Sequence, residues 1–143
     1  MLTNATKSDA AGNVSFLSTA ENIVDVTAAK ALTIADSGKV FVLKAAAGAA
    51  ITLPSAAAGK WNFRFVTGLA FATIAWTVTA TSQVIQGGAI VNSAFVPAAN
   101  ENVITFVATA ETLGDFLDVY SDGTNIYVSG VATAAGAITF TAV

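Results

Sequence analysis

The segment Ile51-Thr-Leu-Pro-Ser-Ala-Ala-Ala-Gly-Lys-Trp-Asn-Phe-Arg-Phe65 contains the pattern that decides the fold. A short apolar run stops at Pro54, because proline has no N–H to donate to a strand ladder. Small residues follow, and an alternating run then places Trp61, Phe63 and Phe65 on one face of a second strand. We therefore interpret the segment as two β-strands joined by a tight corner.

The end of this corner, Gly59-Lys60, also suggests a phosphate-binding loop. Such a loop requires the pattern G-x-x-x-x-G-K-[ST], whose glycines let backbone N–H groups approach phosphate oxygens and whose hydroxyl holds magnesium. Pro54 occupies the position of the first glycine, and Trp61 follows the lysine. Both departures exclude the motif.

Alternation with a period of two continues along the chain and is carried by β-branched and aromatic residues, which favours strands. The alanine clusters are too short to form stable helices. The predicted strands lie near residues 31–34, 39–43, 50–53, 61–67, 73–80, 83–86, 89–92, 103–110, 115–121, 125–130 and 137–142. Turn residues separate nearly all of them, among them Gly87-Gly88 and the segment from Pro97 to Asn100.

About ten short strands with turns at intervals of roughly 8–12 residues are typical of a sandwich or barrel. We predict an all-β fold with one antiparallel, jelly-roll-like β-sandwich domain over residues 31–143. An immunoglobulin-like sandwich is the open alternative for the strand order. Residues 1–30 contain only scattered apolar residues, and this composition predicts an extended N-terminal arm that becomes ordered against a neighbouring subunit.

The composition is 55% hydrophobic and only 10% charged, against roughly 25% charged in an average soluble domain. The excess apolar surface has to be covered by a membrane or by neighbouring subunits. No run provides the roughly 20 apolar residues of a spanning helix, and the start of the chain lacks the apolar core of an export signal. We therefore expect no membrane association, no signal peptide, and burial against other subunits.

The chemical inventory of the chain argues against catalysis. The sequence has no histidine and no cysteine, so a Ser-His-Asp triad is impossible and a structural zinc site is disfavoured. The net charge is −3 and the basic residues are scattered singly, so the sequence does not predict the basic patch that binds nucleic acid. We expect a protein that is not an enzyme and has no cofactor, no metal site and no nucleic-acid partner.

Carboxylates are the remaining chemical resource, and they form one cluster in the sequence: Glu111, Asp115, Asp118 and Asp122. In a strand over residues 115–121, Asp115 and Asp118 face opposite sides of the sheet. A glycosidase needs two carboxyl groups flanking one bond, and calcium needs six to eight converging oxygens. We therefore predict solvated carboxylates at strand ends and in a turn, with a carboxylate hydrolase as a distant alternative.

Two segments resemble the β modules of tailed-phage virion proteins. The first, Ala35 to Val66, contains Asp36-Ser-Gly-Lys-Val-Phe-Val-Leu43 followed by the Leu53-Pro54 corner, and is similar to a D-S-G-K-x-F-x-L…L-P-x-x-x-x-G-x-x-x-x-F pattern. The second, Gly114 to Gly130, is similar to a G-D…S-D-G-T-x-W-Y-V-x-G pattern, with Ile126 in place of the usual tryptophan. Together the two segments cover about a third of the chain.

The resemblance implies a structural protein of the virion. A small module without a shaft or attachment region suits a capsid decoration or cement protein. Such a protein binds the capsid surface as a homotrimer and reinforces contacts between major capsid subunits. The expected partners are the major capsid protein and further copies of this chain, and the expected location is the virion after synthesis in the host cytoplasm.

The alternative function is a receptor- or glycan-binding module of a tail fibre. It would use the tyrosines that flank the turn from Ser121 to Asn125. The residues predicted to form an interaction surface under either function are Phe16, Leu17, Ile23, Val24, Tyr120 and Tyr127.

Overall fold

The computed structural model describes residues 6–8, 14–16 and 22–143. The strands in chain order are β1 Thr6–Ser8, β2 Val14–Phe16, β3 Ile23–Val26, β4 Lys30–Ala31, β5 Val40–Leu43, β6 Ala50–Thr52, β7 Lys60–Thr67, β8 Trp76–Thr79, β9 Ile85–Val91, β10 Ala94–Glu101, β11 Val103–Phe106, β12 Phe116–Asp122, β13 Ile126–Ala132 and β14 Ile138–Thr141. Short 3-10 helices cover Ile34–Asp36 and Ala56–Ala58.

Twelve of these strands form two sheets, and β1 and β2 pair with each other as a two-stranded sheet. The large sheet has the order β10-β9-β13-β12-β7-β5-β3, and the small sheet has the order β14-β11-β8-β6-β4. The inward faces of both sheets supply one continuous core, so the predicted all-β sandwich is confirmed.

Both sheets are mixed, whereas we expected antiparallel ones. Five neighbouring pairs run parallel: β3 with β5, β5 with β7, β4 with β6, β6 with β8, and β9 with β13. The first four follow from the path of the chain, because consecutive strands from β3 to β8 alternate between the large and the small sheet. Strands that return to the same sheet after such a crossing run in the same direction. Alternating residues do not reveal whether the next strand joins the same sheet or the opposite one.

The sandwich begins before residue 31. Strand β3 pairs with β5 as an edge of the large sheet, and β4 pairs with β6 as an edge of the small sheet. The last part of the predicted arm is therefore part of the domain. The remainder of the predicted arm lies outside the described residues, apart from the antiparallel pair of β1 and β2.

Strand β9 runs through Gly87-Gly88, where we predicted a turn. Its glycines allow close backbone approach, since an added Cβ would meet the Val128 carbonyl oxygen at Gly87 and the Val96 carbonyl oxygen at Gly88. The actual turn is Asn92-Ser93, whose positive φ angles of 49° and 64° suit a two-residue hairpin.

Residues 97–100, which the sequence predicts as a turn, lie within strand β10. It is an edge strand of the large sheet, where the missing N–H of proline is tolerated.

The corner of the opening segment carries the chain from the small sheet to the large one. Pro54 follows β6, and residues 56–58 form a single 3-10 turn. The Trp61 indole donates to the Ser55 carbonyl oxygen at 3.3 Å, and the Ser121 hydroxyl donates to the Ala56 carbonyl oxygen at 3.3 Å. The small side chains thus let the corner pack directly against β7 and β12, as we predicted for a tight corner.

Aromatic side chains of the large sheet form the centre of the core. Trp61, Phe63 and Phe65 all point inward from β7 and are buried, and Phe41 of β5 packs against the last two with ring centroids 5.7 and 5.8 Å apart. Each fully buried phenylalanine stabilises the fold by about 1.5–3 kcal/mol relative to an exposed one. The opposite face of β7 therefore points away from the core and is available for contacts outside the domain.

Candidate interaction surface on the large sheet

The acidic cluster of the sequence is divided between structural roles. Asp115 is buried, with 3% exposure, and its two carboxylate oxygens accept hydrogen bonds from the N–H groups of Thr112 and Thr133 at 2.8 and 2.9 Å. Glu111 accepts the N–H of Phe71 at 2.6 Å. Both side chains hold loops together at one end of the sandwich, so the predicted solvation of Asp115 is wrong.

The other two acids lie on the outer face of the large sheet. Asp118 forms a bidentate ion pair with Arg64 of the neighbouring strand β7. Asp122 closes the turn after β12, because its Oδ1 accepts the N–H groups of Thr124 and Asn125 at 2.7 and 2.8 Å. These backbone hydrogen bonds lower the pKa of Asp122. Within residues 22–143 no three acidic side chains converge as cation ligands.

The residues that we predicted to form an interaction surface lie in different environments. Ile23 is exposed on the edge strand β3, whereas its neighbour Val24 is half-buried and packs against the core. Phe16 lies in β2 opposite Thr6, and Leu17 lies outside the described residues. Among the predicted residues within 22–143, the tyrosine pair is the one brought together across neighbouring strands.

Tyr120 of β12 and Tyr127 of β13 are direct cross-strand partners. Their ring centroids are 5.4 Å apart and their planes are inclined by 31°. The Tyr127 hydroxyl donates to Asp122 Oδ2 at 3.0 Å. The backbone register extends the pair to Asn62 of β7 on one side and Gln86 of β9 on the other. We call these four residues the tyrosine row.

A second row of outward side chains crosses six strands of the large sheet near the opposite end of β7. Its members are apolar and are successive register partners from β5 to β10: Val42, Val66, Phe116, Val131, Ile90 and Phe95. The first three are half-buried. The last three are exposed by 46%, 42% and 62%, respectively. We call this set the apolar row.

At the exposed end of the apolar row, the Phe95 ring packs over Gly88. An added Cβ at this glycine would lie 2.6 Å from Cζ of Phe95, so the ring lies over the glycine position. A glycine in a strand interior loses stability because it has no side chain to pack. The Phe95 ring fills the space that a side chain at residue 88 would occupy.

The sequence interpretation missed the apolar row because it misplaced two strands. The predicted turns at Gly87-Gly88 and over residues 97–100 leave no hairpin that could pair Ile90 with Phe95. The signal that would have found the row is the Asn92-Ser93 pair, which is a hairpin turn between two alternating runs.

None of the helices formed by the described residues is both long enough and apolar enough to cross a bilayer. Comparison of the chain with family models, with curated proteins and with solved structures found no match.

Proposed function

We propose that this chain is a structural protein of a tailed-phage virion, and specifically a capsid decoration protein that acts by adhesion. In this proposal it binds the outer capsid surface as a homotrimer and reinforces contacts between major capsid subunits. The observation that carries the proposal is the apolar row on the outer face of the large sheet.

The apolar row suits burial against another subunit. Val131, Ile90 and Phe95 are adjacent across three strands and all remain substantially exposed. Contiguous exposed apolar surface on a soluble protein marks a contact site. Burial stabilises a contact by about 25 cal/mol per Å² of apolar area, and repetition over many copies on one shell multiplies a modest contact into a strong one.

The two segments that resemble virion modules support the same proposal. The first contributes β5, β6 and β7, and the second contributes β12 and most of β13. Four of these strands, β5, β7, β12 and β13, are consecutive neighbours in the large sheet. Segments separated by about fifty residues of sequence therefore form one continuous patch of the fold.

The first test measures self-association of the purified chain by sedimentation velocity over a range of concentrations. We expect a trimer that Phe95→Ser and Val131→Ser weaken. The matched control is Ile34→Ser, because Ile34 is 38% exposed and lies near the corner at the other end of β7. A monomeric wild-type protein, or equal weakening by the control, would overturn the homotrimer.

The second test distinguishes the capsid from the tail. The copy number of this protein is measured against that of the major capsid protein in a purified particle. A number comparable with the capsid subunits supports decoration. A handful of copies per particle would overturn it in favour of a tail component.

A further inference from the structure

The tyrosine row presents two adjacent aromatic rings on the outer face of the large sheet, away from the apolar row. Tyr120 is 48% exposed, and Tyr127 beside it is half-buried. With centroids 5.4 Å apart and planes inclined by 31°, the two rings partly face each other, and Tyr120 presents the larger exposed surface. Tyrosine combines a broad apolar face with a polar hydroxyl edge, so this surface suits a ligand that has both kinds of group.

Carboxamide side chains flank the two rings. Asn62 is the register partner of Tyr120, and Gln86 is the register partner of Tyr127. Because neighbouring strands lie about 4.8 Å apart, the row is roughly 14 Å long from Asn62 to Gln86. Each carboxamide offers a donor and an acceptor. The row thus has an apolar centre with hydrogen-bonding groups at both ends.

The Gln86 end is shaped by a local irregularity of β10. The register shifts between Ala99 and Glu101, and Asn100 between them has a positive φ of 62°. The Gln86 amide donates to Asn100 Oδ1 at 2.6 Å. A bulge in an edge strand commonly redirects a side chain, and here it adds a second carboxamide to this end of the row.

A fixed carboxylate lies beside the rings. Asp122 accepts two backbone N–H groups and the Tyr127 hydroxyl, so its orientation is set before any ligand binds. Lys60 of β7 is its register partner and the nearest basic residue along the strand pair. The chain as a whole carries a net charge of −3. An acidic protein whose rings border a carboxylate is poorly suited to a polyanion such as nucleic acid.

We propose that the tyrosine row binds a neutral oligosaccharide. The apolar C–H face of a sugar ring packs on the exposed ring of Tyr120 beside Tyr127, and hydroxyl groups of the oligosaccharide bond to Asp122 and to the carboxamides. The roughly 14 Å row matches two or three sugar units at the spacing of the strands. This inference does not depend on the virion function, because the two rows use different residues.

The test uses the full chain on a printed glycan array, followed by titration of uniformly ¹⁵N-labelled protein with cellotriose, maltotriose and chitotriose. We expect saturable binding of a neutral glycan with amide shifts concentrated on β12, β13 and β9. Tyr120→Ala should weaken binding by at least about tenfold, the effect of losing one stacking surface. Phe95→Ala is the control, since it removes another exposed ring of the same sheet and should leave glycan binding unchanged.

A second variant keeps the test valid if Tyr120→Ala fails to fold. Tyr127→Phe retains the ring but removes the hydroxyl that bonds to Asp122, and we expect a smaller loss of affinity from it. The absence of saturable glycan binding on the array and in the titrations would overturn the proposal. Tighter binding of a hexathymidine oligonucleotide, or equal losses in Tyr120→Ala and Phe95→Ala, would also overturn it.

Discussion

Arg64 and Asp118 face each other across β7 and β12, with Nε to Oδ1 at 2.6 Å and Nη2 to Oδ2 at 2.7 Å. The guanidinium carbon also lies 4.6 Å from the centroid of the Phe116 ring. The hydrogen bonds to Asp118 raise the pKa of Arg64. In register, this pair lies between the apolar row and the tyrosine row. A charged pair thus separates the two surfaces for which we propose different partners.

We expect the Arg64–Asp118 pair to couple measurably but weakly. Both side chains are partly exposed, and exposed ion pairs contribute about 0.2–1 kcal/mol, with bidentate geometry at the upper end. A double-mutant cycle with Arg64→Ala and Asp118→Ala, followed by urea unfolding, should give a coupling free energy in that range. The coupling should shrink at about 1 M salt, where screening is strong. A coupling that is unchanged by salt would contradict the electrostatic account.

Gly48→Ala should destabilise the fold far more than Gly123→Ala. Both glycines have positive φ angles, 64° and 100°, so alanine is strained at either position. An added Cβ at Gly48 would collide with the backbone carbonyls of Ile74 and Ala75, whereas at Gly123 it would meet nothing within 4 Å. We expect a loss of about 1 kcal/mol at Gly123 from strain alone and at least about 3 kcal/mol at Gly48 from added overpacking. Thermal unfolding of the two variants measures the difference, and equal losses would contradict it.

Asp115→Ala should cost much more stability than Asp118→Ala. Removal of Asp115 takes its buried carboxylate away from the N–H groups of Thr112 and Thr133, which belong to exposed residues. A hydrogen bond to a charged group contributes about 1.5–3 kcal/mol, and because water can partly replace the carboxylate at the two threonines, we expect a total loss of about 2–4 kcal/mol. Asp118 is a partly exposed acid only three residues away, and its loss should cost about 1 kcal/mol or less. Similar unfolding free energies for the two variants would contradict a structural role for Asp115.

The sequence predicted the fold best where alternation is strict. The alternation in β7 correctly placed Trp61, Phe63 and Phe65 on one face of the strand, and all three are buried. These positions are decided by local periodicity, because burial of one face of a strand fixes every second residue.

The parallel pairs and the apolar row could not be predicted in the same way. Which sheet a strand joins depends on contacts between residues distant in sequence, such as Val131 with its parallel register partner Ile90. Gly87 and Gly88 have the composition of a turn, yet the close approach of Val128 and Val96 places them inside a strand. The tyrosine pair was proposed from the sequence because both residues flank one short turn, which keeps them close in any hairpin.

Protonation of Asp122 should release part of the stability of the β12–β13 hairpin. The backbone hydrogen bonds from Asn125 and Thr124 and the hydroxyl of Tyr127 lower the pKa of Asp122 in the folded state. Because the pKa is lower in the folded state, the ionised carboxylate stabilises the fold at pH values above the unfolded-state pKa of about 3.9. This contribution disappears as the pH falls through the folded-state value. Asp122→Asn keeps an oxygen acceptor for the turn but removes the charge, so the variant should lack this pH dependence.

The measurement is urea unfolding of the wild type and Asp122→Asn between pH 7 and pH 2. We expect the wild type to be more stable near neutral pH and the difference to vanish at the acidic end. Asp36 also has a lowered pKa, because the upward effect of burial is outweighed by the hydrogen bonds from Lys39 and Thr33 together. Because Asp36 is present in both proteins, its titration cancels from the difference. A stability difference that stays constant across this range would show that the turn does not depend on the Asp122 charge.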